Sequence, residues 1–107
     1  MTRGDLAVAI LPGDYGKPRP VLIVQSDIFP DTESVTVLPL TTDLREIPIF
    51  RVIVEPSDAN GLKERSQVMV DKAHTLRRGK ISYVFGRLDL DDQITINRAL
   101  ALFLGFS

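Results

Sequence analysis

In the stretch from Gly16 to Asp27, GKPRPVLIVQSD, an arginine stands between two prolines at the head of four consecutive branched aliphatics. Pro18 and Pro20 fix their own φ angles, and each disfavours the α conformation in the residue before it, so Lys17 and Arg19 are both biased towards extended backbone. A guanidinium is a planar fork of N–H donors suited to phosphate, and a stiff mount lowers the entropy it loses on engaging an anion. The same arrangement also serves a solvated strand end, because prolines often mark where strands begin. What decides between the two is the chemistry the rest of the chain can bring to Arg19.

Two hydroxyls, Thr41 and Thr42, close the segment PLTTD from Pro39 to Asp43. A threonine can position a phosphoryl oxygen or a ribose hydroxyl, and it can equally bond its own backbone in a turn. Asp14, within PGDYG, can accept a proton, orient an arginine or simply form the turn. Asp71 follows the apolar run VMV. Strict alternation would set Val68 and Val70 on one face and Met69 and Asp71 on the other, placing Asp71 at a rim where it serves chemistry, a salt bridge or a loop cap. His74 is the only histidine. Paired-histidine acid–base catalysis and a multi-histidine metal site are therefore out of reach. The cluster LRRGK, Leu76 to Lys80, reads as a basic turn that is either solvated or makes local phosphate contacts through Arg77 and Arg78. The tripeptide RGD at Arg3 to Asp5 is too unspecific to carry an adhesion reading.

The chain that must position these groups has 107 residues, 44% of them hydrophobic and 25% charged, as expected of one globular domain spanning 1–107. No apolar run approaches the roughly 20 residues of a membrane-spanning helix, and LAVAIL, behind Asp5, reads as a strand rather than a signal-peptide core. With no cysteine there is neither a disulfide framework nor a thiolate ligand, which suits a reducing cytoplasm. No membrane partner and no cofactor are expected. The formal charge of -1 excludes the broad basic footprint of a duplex-DNA binder, so any nucleic-acid contact must be local.

Alternation and β-branched residues predict strands over Asp5–Leu11, Arg19–Gln25, Ser34–Leu40, Ile49–Pro56, Ser66–Leu76 and Lys80–Leu88, with a turn at Asn60-Gly61. No helical crossover separates them, so the architecture is mainly β, a small antiparallel barrel or sandwich. Asp89 is placed to cap a C-terminal helix whose first turn carries Asp91 and Asp92. Ile96, Ala99, Leu100, Leu102, Phe103 and Phe106 form its apolar stripe, and Gly105 its stop. Loops over Pro12–Pro18 and Thr41–Pro48 are where functional groups would emerge from such a scaffold.

Taken in order, RGDL, GKPRPVLIVQSD, VTVLPLTTD, NGLKERSQVMVDKAHTL and ISYVFGRLD, followed by a short helix, resemble the MazF/PemK toxin family over nearly the whole chain. The resemblance implies an SH3-like β-barrel with a terminal helix that forms homodimers. It also implies a sequence-selective endoribonuclease that cleaves single-stranded messenger RNA without a metal and is neutralised by a cognate antitoxin. It carries Arg19 over as the arginine that stabilises the transition state and Thr41 as its partner. Asp71 is the aspartate of the PemK branch, leaving Asp14 or Asp71 to take the 2'-hydroxyl proton. Tyr15, Lys17, Thr42, Arg77 and Arg78 are then candidate RNA contacts. The chain departs from the pattern at Gly13, where a serine or histidine is usual, at Asp14, where a glutamate is usual, and at Met69, where the PemK branch has an arginine. VQSDIF, VLPL and the terminal LFLGFS also resemble CcdB, a gyrase poison of the same fold, with Leu104, Gly105 and Phe106 at its critical ending, although the tryptophan of that ending is missing.

Overall fold

The structure is a computed structural model and describes residues 1–47 and 49–106. Seven strands make one antiparallel sheet: β1 (Asp5–Ile10), β2 (Pro18–Ile23), β3 (Ser34–Thr41), β4 (Arg51–Val54), β5 (Ser66–Met69), β6 (His74–Arg77) and β7 (Ile81–Arg87). A C-terminal helix, α1, spans Leu90–Leu104. The strand order is β4-β5-β3-β2-β1-β7, and β6 pairs the first half of β3 along the edge whose far end pairs β5. The expected small antiparallel barrel is realised as a coiled sheet that is not closed. No described helix is long and apolar enough to cross a membrane.

The central strands are buried on both faces, which is why β2 reads as a continuous aliphatic run rather than an alternating one. One face carries Ala7, Ala9, Val21, Ile23, Val35 and Val37, and the sheet curls around them so that Leu76 of β6 and Ile81 of β7 join from its two edges. The β1–β7 ladder shifts register between Leu6 and Ala7 and again between Val8 and Ala9. Such bulges increase twist and bend the strand, which helps the sheet coil. The other face carries Leu6, Leu22, Leu38 and Leu40, covered by Val52 and Val54 of β4, Val68 of β5, and Ile96 and Ala99 of α1.

One expected strand is broken. Ser66–Leu76 divides into β5, a single 3-10 turn over Val70–Lys72, and β6. The Val70 N–H still bonds the Phe50 carbonyl at 3.0 Å, one step beyond the Arg51–Met69 pair and in its register, and the chain turns out of the ladder after it. The break lets one segment serve two partners in succession, β4 with the end of β3, and then the start of β3. The helix forms as its sequence dictates. The Asp89 carboxylate accepts the Asp92 N–H at 2.8 Å, and Gly105, at φ 85°, ends it while the Phe106 N–H bonds the Ala101 carbonyl at 2.8 Å. Its apolar stripe outruns the core: Ile96 and Ala99 are buried, whereas Leu102, Phe103, Leu104 and Phe106 are exposed, with the Phe103 ring 5.5 Å from that of Phe50.

Candidate active site

Arg19 lies on β2, paired with Ala9 of β1, and its Nε donates to an Asp14 carboxylate oxygen at 3.2 Å. The loop that returns Asp14 to this position needs left-handed backbone at Gly13 (φ 82°), Tyr15 (φ 52°) and Gly16 (φ 78°). Two of these are glycines, which adopt it without cost, and the third is a tyrosine held there against its preference. The Lys17 N–H closes the loop on the Asp14 carbonyl at 2.9 Å. Among the described residues no group accepts from the terminal nitrogens of Arg19, and its side chain is 41% exposed. The carboxylate therefore aims the guanidinium from behind and leaves its outer donors free.

Thr41 ends β3. The β2–β3 ladder pairs Ile23 with Val37, Leu22 with Leu38 and Val21 with Pro39. Arg19 and Thr41 each lie two residues beyond the last β2–β3 pair, at the same end of the two strands, where β3 turns to pair with β5. The Thr41 Oγ1 accepts the Asp43 N–H at 3.0 Å, the turn bond available to any threonine here. That bond uses an acceptor lone pair and leaves the O–H to donate elsewhere.

Asp71 stands in the 3-10 turn after β5 and is engaged by Arg51 of β4. Nε and Nη2 of Arg51 donate to its two oxygens at 2.9 and 3.2 Å, and the Lys72 Nζ is 3.8 Å away. The pair is nearly buried, with side chains 12% and 14% exposed. The Arg51 hydrogen bond holds the Asp71 carboxyl below the usual carboxylate range despite the opposing effect of burial. Among the readings open for Asp71, the geometry is that of a salt bridge. The β3–β5 register, with Thr41 opposite Gln67, places Asp71 four residues along the chain from Thr41's partner.

The remaining candidates divide between the two ends of the sheet. Tyr15 and Lys17 are exposed in the Asp14 loop, and Thr42 is exposed directly after Thr41. Arg77 pairs with Ser34 at the opposite end of β3, about 23 Å from Thr41 along the strand. Arg78 is spent on the neighbouring loop, donating to the carbonyls of Pro30 and Thr32. The structure brings Arg19, Asp14 and Thr41 to one end with Tyr15, Lys17 and Thr42, and sets Arg77 and Arg78 at the other. Among the described residues no three His, Cys, Asp or Glu side chains form a group able to hold a metal ion.

The sequence reading passed over several residues that the structure places near these groups. Arg51 was only part of a strand, because nothing in its neighbourhood announces a partner 20 residues away. A groove lined by Val8, Arg19, Pro20, Leu62, Lys63 and Tyr83 adjoins the candidate arginine. The Asn60-Gly61 turn was the available signal that a loop carrying Lys63 would fold back over the sheet. Gln67, a long amide inside an apolar strand, is buried.

Residues 2–104 match the family described as PemK-like, MazF-like toxin of type II toxin–antitoxin systems. A protein of Mycolicibacterium smegmatis named "Probable endoribonuclease MazF" is 45% identical over 108 residues, spanning 100% of this chain and 99% of the relative. Among solved structures, Mycobacterium tuberculosis toxin MazF-mt6 superposes with a TM-score of 0.83 at 27% identity, over 96% of this chain and 98% of that one. A mycobacterial endoribonuclease in complex with its cognate antitoxin superposes with a TM-score of 0.84 at 29% identity, over 100% and 97% of the two chains.

Proposed function

The chain belongs to the PemK-like, MazF-like toxins of type II toxin–antitoxin systems, and we propose that it is an endoribonuclease that cleaves single-stranded RNA at the Arg19 end of its sheet. The observation that carries this reading is the geometry of Arg19: fixed through Nε by Asp14, at the same end of the sheet as Thr41, with its terminal donors free to meet an anion. The 2'-oxygen of one ribose, its proton passed to a base, attacks the adjacent phosphorus, the bond from phosphorus to the 5'-oxygen breaks, the 5'-oxygen takes up a proton from solvent, and a cyclic phosphate and a 5'-hydroxyl result. Charge builds on the non-bridging oxygens as the bond forms. A preorganised guanidinium stabilises it there at no reorganisation cost.

The Thr41 O–H donates to one phosphoryl oxygen and fixes the phosphate's orientation. Of the two candidate carboxylates, Asp14 is the one beside the phosphate that Arg19 would hold, with one oxygen on Arg19 and the other free to take the 2'-hydroxyl proton. Asp71 has both oxygens on Arg51 and a lowered pKa, which suit a structural ion pair better than a base. Tyr15, Lys17 and Thr42 supply surfaces for flanking nucleotides, where stacking and phosphate contacts are sequence-tolerant. Lys63 and Tyr83 extend that surface along the groove beside Arg19.

The exposed Leu102, Phe103, Leu104 and Phe106 at the helix end offer apolar surface for a second copy of the chain and for an antitoxin segment. The cysteine-free composition suits action in the cytoplasm, where messenger RNA is made and read. Family membership supports the ribonuclease over a gyrase-directed reading of the helix end. The test is to incubate purified protein with long single-stranded RNA in EDTA and to analyse the product ends. Cleavage that yields cyclic phosphate and 5'-hydroxyl ends, and that disappears when the 2'-hydroxyl at the scissile position is replaced by hydrogen, supports the reading. Absence of cleavage, or cleavage indifferent to that hydroxyl, sinks it.

A further inference from the structure

We propose that Gln67 is a positioning residue for the reaction, holding the loop after β3 so that the Thr41 hydroxyl faces the phosphate; this rests on the role proposed above for Thr41. Among the described residues three polar side chains are buried, and two of them serve their own surroundings. Asn60 bonds Ser57, Glu55 and Leu62 within its turn, and the Ser66 hydroxyl donates to the Glu64 carbonyl. Gln67 reaches across 22 residues instead. Its Oε1 accepts the Arg45 N–H at 2.8 Å and its Nε2 donates to the Arg45 carbonyl at 2.6 Å. With a side chain it makes the two-point bond that a neighbouring strand would make with its backbone.

A buried amide is costly unless both ends are satisfied, and an apolar residue of similar size would fill the same space without that requirement. What the amide supplies is a fixed place for Arg45. From Arg45 the constraint runs back to Thr41: its guanidinium donates to the Asp43 carboxylate at 3.2 and 2.9 Å, and the Asp43 N–H bonds the Thr41 Oγ1 at 3.0 Å. Thr41 is itself the cross-strand partner of Gln67. The loop is therefore clamped at the level of the hydroxyl it orients, and that hydroxyl is left with its proton to donate. Misplacing a catalytic group by about an ångström can cost up to 100-fold in rate.

The experiment compares single-turnover RNA cleavage by Gln67→Met, Thr41→Val and the double variant, with thermal melts of each. Gln67→Met is expected to keep the melting midpoint within a few degrees and to lose about tenfold in rate at saturating RNA with little change in RNA affinity. In the Thr41→Val background it should cost nothing further, because there is no hydroxyl left to aim. Gln67→Glu adds a readout that a packing role would not move. As a carboxylate it opposes the Arg45 carbonyl, but once protonated it regains a donor and an acceptor. Its rate relative to the wild type should therefore rise as pH falls through its own pKa. A folded Gln67→Met with wild-type rate, a loss that adds fully to that of Thr41→Val, or a flat relative pH profile for Gln67→Glu overturns the inference and leaves the ribonuclease reading standing. Should Thr41→Val cleave as well as the wild type, the proposed role of Thr41 fails, and the positioning role with it.

Discussion

Two of the arginine–aspartate pairs among the described residues, Arg51–Asp71 and Arg19–Asp14, differ in how much of each guanidinium is used. Arg51 gives Asp71 two bonds, at 2.9 and 3.2 Å, with both side chains nearly buried. Arg19 gives Asp14 one bond, through Nε at 3.2 Å, with side chains 41% and 27% exposed. The first pair is bound at two points and nearly buried, with both carboxylate oxygens already on Arg51. The second is half used, and a phosphate could complete it. Residue type alone does not separate the two pairs; their exposure and the number of bonds between the partners do.

Substitutions in the two pairs should separate stability from activity. The largest effect on stability is expected from Asp71→Ala, which strands a nearly buried guanidinium at a cost of about 3 kcal/mol, or roughly 12 °C in melting midpoint for a chain of this size. Below that midpoint its cleavage rate should stay within a few-fold of wild type, so a thermal melt beside a rate measurement checks both halves. Asp14→Asn should do the reverse, losing about 100-fold in rate with little change in the melt. Arg19→Lys keeps the charge but not the fork, and should cost roughly 30-fold, or about 2 kcal/mol of transition-state stabilisation.

The smallest effect concerns acid stability. Because the folded-state pKa of Asp71 lies below its unfolded value, the pair stabilises the fold above the ordinary carboxylate pKa of about 4 and loses that contribution as pH falls below it. In Asp71→Asn the loss of stability between about pH 5 and pH 2 should be shallower than in the wild type, measurable by urea titration across that range.

Most of the scaffold was legible because it is written in local pattern. Prolines, β-branched runs and turn residues placed the strands. Asp89 and Gly105 bracketed the helix, and the prolines around Arg19 together with Thr41 at a strand end outlined the candidate site. What escaped depends on tertiary choice. The chain turns out of the β4–β5 ladder after Val70, whose N–H makes the last in-register bond, to the Phe50 carbonyl 20 residues away. Asp71 was open to chemistry, a salt bridge or a loop cap, and the family resemblance made it a catalytic candidate, because sheet register, not neighbouring sequence, delivers Arg51 to it. Gln67 looked like one polar residue in a strand until its amide was seen on the Arg45 backbone. Arg77 and Arg78 read as plausible RNA contacts from charge alone, but strand direction sets them at the far end of β3.

The central claim is that the half-used guanidinium carries the chemistry. Its most direct test is the single-turnover cleavage rate of Arg19→Ala on single-stranded RNA in EDTA, measured beside the wild type with a thermal melt of each. Removing a preorganised donor of this kind predicts a loss of about 100- to 1,000-fold in rate with a melting midpoint within a few degrees of wild type. A variant that cleaves at the wild-type rate, or one that loses activity only because it no longer folds, would contradict it.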